Sequence, residues 1–129
     1  MTTLPHAFKR IRLNLARSKE FPEGSTRHGY EFVAPLDPAG HIDPALWKQH
    51  RDHCRVRRFW GDNAETGRLV HRPGGKGGVW AFDYVAGTSE DDEAGYRFAS
   101  HALIPGEYVS IRDEDGEMHT FQVASVEPV

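Results

Sequence analysis

The chain has a single cysteine, Cys54, so no internal disulfide can form and its stability must come from a packed core. It lacks any long apolar run and any leader of the secretory kind, which points to a soluble, cytoplasmic protein with no membrane role. It also lacks C-x-x-C, H-E-x-x-H and G-x-S-x-G, so the local signatures of zinc ribbons, metalloproteases and serine hydrolases are missing. Acidic residues are missing from the first nineteen positions, which carry Lys9, Arg10, Arg12, Arg17 and Lys19 before Glu20. That composition suits an organellar transit peptide. The strict alternation of Arg10-Ile11-Arg12-Leu13-Asn14-Leu15 speaks instead for a half-buried strand.

What is present describes one β domain spanning residues 1–129. A chain of 129 residues buries roughly two thirds of its unfolded surface, enough for a core without staples. The formal net charge of -3 is unevenly placed: residues 1–60 hold 11 Lys and Arg against 6 Asp and Glu, and residues 61–129 hold 5 against 13. Such a split either makes a dipolar surface that steers a charged partner or cancels when basic and acidic strands lie side by side.

Period-two runs separated by turn residues predict strands at Phe8 to Leu15, Tyr30 to Leu36, Cys54 to Trp60, Arg68 to Arg72, Val79 to Val85, Tyr96 to Leu103, Glu107 to Arg112 and Met118 to Val126. The fold class is mainly β: an antiparallel barrel or curved meander of about eight short strands. One helix near residues 44–53 covers it. Asp43-Pro44 supplies an N-cap and a proline at the first helical position, where a missing N–H costs nothing, and Leu46, Trp47, His50 and Cys54 fall on one face. The closing hairpin is specified most sharply. A three-residue loop of Glu114, Asp115 and Gly116 pairs Ile111 with His119 and Val109 with Phe121, which brings both apolar rows to one face and turns His119 inward.

Several constellations are candidates for chemistry. His50, His53 and Cys54 form an H-x-x-H-C cluster that, with a strand histidine such as His71, His101 or His119, would complete a zinc site in a metal-binding protein or metal-dependent enzyme. The bland alternative is a helix C-terminus with favourable histidines and a core thiol. Arg51, Arg55, Arg57 and Arg58 beside Phe59 and Trp60 resemble a nucleic acid surface in composition, though a sequence pI of about 6.2 argues against one. Alternation places Arg55, Arg57 and Phe59 on one face and Val56, Arg58 and Trp60 on the other. Trp80, Phe82 and Tyr84 continue with Tyr96 and Phe98 as an aromatic face, by default core.

The glycine loop 73–78 lacks the Ser or Thr of a phosphate loop and precedes a strand. The acidic loop 89–93 and the turn 113–116 lack a full calcium ladder. The leading expectation is a non-enzymatic binding or interaction module for a protein or small ligand, requiring no cofactor, with Arg55, Arg57, Trp60, Trp80 and Tyr84 as its contact residues. The alternatives are the metal protein using His50, His53, Cys54 and His119, and a nucleic acid binder working through Arg51 to Trp60.

Overall fold

In the computed structural model, residues 7–72, 79–84, 93–96, 102–113 and 116–129 are described, with the backbone alone at 93–96. Val85, Phe98, His101, the glycine loop 73–78 and positions 89–92 of the acidic loop lie outside these residues, and so do the expectations placed on them.

The strands are β1 (Phe8–Leu15), β2 (Ser25–Pro35), β3 (Arg55–Trp60), β4 (Asn63–Arg72), β5 (Val79–Asp83), β6 (Glu93–Tyr96), β7 (Tyr108–Arg112) and β8 (Met118–Pro128). Each pairs antiparallel with its neighbour in sequence, and β8 returns to β1, so the sheet closes into a barrel. Closure gives every strand two partners and leaves no open edge. Helix α1 (Pro44–His50) and a 3-10 turn (Arg51–His53) connect β2 to β3.

Period-two alternation fills the interior. Ile11 faces Phe32 and Leu13 faces Tyr30 across the first pair, Leu69 faces Phe82, and Val109 faces Phe121, all of them buried. Tyr30, Phe82, Phe121 and Phe32 meet at centroid distances of 5.0 to 5.1 Å, so aromatic rings occupy the waist of the barrel. The barrel is filled there, not hollow.

Helix α1 closes one end. The Asp43 carboxylate accepts the N–H groups of Ala45 and Leu46 at 3.0 and 3.2 Å, with Pro44 opening the helix. This start aims Trp47 into the barrel, where its ring meets Trp80 edge-on at 5.4 Å and its indole N–H donates to the Leu69 carbonyl at 2.9 Å. His71 lies flat on Trp80, 4.1 Å between centroids.

Three strands begin earlier than alternation predicts. β2 starts at Ser25, not Tyr30, β4 at Asn63, not Arg68, and β6 at Glu93, not Tyr96. The added stretch of β4 is exposed as far as Thr66, and that of β2 runs from exposed Thr26 and Arg27 to half-buried His28 and buried Gly29; neither carries an apolar rhythm. Of the strand expected from Tyr96 to Leu103, positions 97–101 lie outside the described residues, and Leu103 is buried outside any strand, donating its N–H to the Gly40 carbonyl at 2.8 Å. No helix among the described residues is long and apolar enough to cross a membrane.

Candidate functional site

The outer wall formed by β1 to β4 collects arginines. Alternation turns Arg10 and Arg12 of β1, Arg55 and Arg57 of β3 and Arg68 of β4 outward. The ladder then sets Arg12 beside Glu31, Glu31 beside Arg57, and Arg55 beside Arg68. Arg51 and Arg72 extend the row towards the 3-10 turn and the end of β4. Arginine's planar, permanently charged fork suits bidentate contact with carboxylate or phosphate.

Two depressions cross this wall. One of about 300 Å³ is lined by Arg10, Glu31, Val33, Arg55, Arg57 and Thr66. The other, about 620 Å³, includes Arg51, Arg55, Thr66, Arg68, Arg72 and Asp83 in its lining. Arg55 and Thr66 line both, so the two depressions adjoin along the wall and are together called the arginine groove.

Part of this charge is compensated. Arg12 approaches Glu31 at 3.6 Å, Arg68 approaches Asp52 at 3.2 Å, and Arg72 bonds Asp83 at 3.0 Å. Arg10, Arg51, Arg55 and Arg57 have no ion-pair partner among the described residues. Phe59 is buried although it faces outward, because the Arg12 guanidinium lies 4.5 Å from its ring centre and that of Arg57 5.6 Å.

A second constellation rims the barrel at the end opposite α1. His28, bonded to Ser25 Oγ at 2.7 Å, meets the edge of Trp60 at 4.7 Å and packs against Phe21. Arg58 turns inward, as alternation requires, with its guanidinium 4.6 Å from the Trp60 ring centre. Across the mouth Trp60 meets His119 at 5.7 Å, and His119 Nε2 bonds Asp113 at 2.9 Å. Burial lowers the pKa of His28, and the charges of Arg27 and Arg58 lower it further.

The sequence candidates therefore separate. Arg55 and Arg57 share the outer groove and Tyr84 lines its larger part, but Trp60 faces the interior at the rim. Trp80, expected as a contact residue, is 1% exposed and belongs to the core beneath Trp47. The four-ligand metal site of His50, His53, Cys54 and His119 is not assembled, because His119 stands at the open rim and the other three beside α1 at the closed end. Cys54 is fully buried against the His50 carbonyl, and burial pushes its thiol up to about 12. Among the described residues the metal-ligating groups that do converge are Asp113, Glu117 and His119.

The sequence reading missed Arg10, Arg12 and Arg68 as members of the wall. Alternation alone turns them outward; their shared surface follows only from which strands pair. Comparison with protein-family models, with curated proteins and with solved structures finds no match for this chain.

Proposed function

We propose that the protein is a non-enzymatic binding module that docks an acidic segment of a partner protein in the arginine groove. The observation that carries this reading is the convergence of Arg10, Arg55 and Arg57 on one depression, with Arg51 next to it, all without ion-pair partners among the described residues. Like charges gathered on a rigid sheet repel, and an anion seated between them relieves that repulsion while gaining charge-assisted hydrogen bonds. The strand ladder fixes the backbone positions from which these arginines project.

The nucleic acid reading is weaker because its aromatic half does not reach the groove. Trp60 turns inward and Phe59 lies beneath guanidinium groups, so neither offers a bare face for a base. Fluorescence anisotropy with a labelled hexaglutamate peptide and a labelled single-stranded thymidine decamer separates the two. Binding of the peptide should weaken with salt and fall by about tenfold or more in the Arg55→Ala/Arg57→Ala double variant, with Arg17→Ala as an unchanged control. Tighter binding of the decamer would favour nucleic acid, and no binding of either would remove the groove as an anion site.

A further inference from the structure

We infer that the end of the β7–β8 hairpin at the barrel mouth is a binding site for a divalent transition-metal ion, held by Asp113, Glu117 and His119. The three residues reach one point because of the register. Asp113 and Glu117 face each other at the hairpin end, where the Asp113 N–H donates to the Glu117 carbonyl at 2.8 Å, and His119 lies two residues beyond Glu117 on the same face. One imidazole nitrogen and two carboxylate oxygens lie within 4.8 Å of one another.

The scaffold is held in advance. Gly116 takes the left-handed φ of +85° that lets a short loop close. Asp113 Oδ1 accepts the Glu117 N–H at 2.9 Å, which fixes the carboxylate plane and turns Oδ2 towards His119. The imidazole is seated from behind by the Trp60 ring. Orientation of this kind by neighbouring groups is what keeps ligands poised for an ion.

The donor set selects the class of ion. His119 Nε2 and Asp113 Oδ2 are 2.9 Å apart as hydrogen-bond partners. With metal bonds of about 2.1 Å, neighbouring ligands stand about 3.0 Å apart around an octahedral ion and about 3.4 Å around a tetrahedral one, so the pair opens by at most about half an ångström to take either. One nitrogen with two carboxylates suits zinc, nickel, cobalt or manganese, and the remaining positions fall to water or a bound anion. The ion takes the place of the proton that now links Nε2 to Oδ2, so protons compete with it. Glu117 is exposed and closes over the ion by rotating its side chain.

The test is calorimetric titration of the full chain, dialysed against EDTA, with NiCl2, CoCl2 and ZnCl2, with tryptophan emission recorded alongside. One Ni2+ per chain should bind and quench emission from Trp60. Co2+ should bind with the same stoichiometry and give visible bands shifted from those of the free aquo ion. Glu117→Gln should weaken binding by about tenfold or more, and His119→Gln should abolish it while keeping the wild-type circular dichroism and metal-free melting. His53→Gln should bind as wild type does. Absence of binding at millimolar ion, retention of binding in His119→Gln, or its loss in His53→Gln would each overturn the assignment.

Discussion

At the scale of single residues, glycine and histidine carry the constraints that composition hides. Gly29 pairs with Asn14 where β1 shifts register against β2, and a Cβ there would overlap the Leu13 carbonyl oxygen and press on Asn14. Both neighbours are strand backbone and cannot swing aside, so Gly29→Ala should cost about 2 kcal/mol or more; an unchanged urea midpoint would show that the pair relaxes. His28 sets an acid limit instead. Its pKa in the folded chain lies below 6.5, so the unfolded chain takes up the proton first and acid favours unfolding. The stability that this group contributes is complete above about pH 6.5 and is lost as pH falls through the lower folded value. Melting temperatures from pH 7.5 to 5 should therefore fall less steeply in His28→Gln than in the wild type. Parallel slopes would remove His28 as the cause.

At the scale of elements, α1 is a plug whose worth lies in one side chain. Trp47 is 9% exposed, packs on Trp80 and satisfies the Leu69 carbonyl. Trp47→Ala should cost about 3–5 kcal/mol through lost burial and the cavity left behind. Trp47→Phe keeps most of the ring but strands the carbonyl, for about 1–3 kcal/mol; equal losses in the two variants would mean that the hydrogen bond outweighs the packing. The plug was legible in the sequence because Asp43-Pro44 fixes where the helix begins, and the beginning fixes which face Trp47 occupies. The hairpin was legible for a similar reason: only the three-residue loop aligns Val109 with Phe121 and Ile111 with His119, the pairing observed. His119 is accordingly inward, but half-buried at the rim and bonded to Asp113, not enclosed in the core.

At the scale of the whole molecule, closure decides what the residues can do together, and closure is what the sequence conceals. Alternation tells which way Arg10, Arg55 and Arg68 point, but β1 and β3 are some forty residues apart and only pairing through β2 makes them one wall. The same non-locality defeats the metal reading of His50, His53, Cys54 and His119, since local helical spacing carries no information about which barrel end receives β8. The seam between β1 and β8 is where closure can be tested. Four of its seven paired positions involve Ser125, Val126, Glu127 and Pro128. Deleting 125–129 would bare the β1 backbone from Lys9 to Arg12, a row of unpaired N–H and C=O groups beside the buried Ile11. The truncated chain should lose its sharp thermal transition and self-associate in gel filtration, because an exposed edge pairs with another edge. Should it instead remain monomeric with an unchanged melting temperature, β1 would need no partner on that side, and the ring that aligns the arginine wall would not depend on its seam.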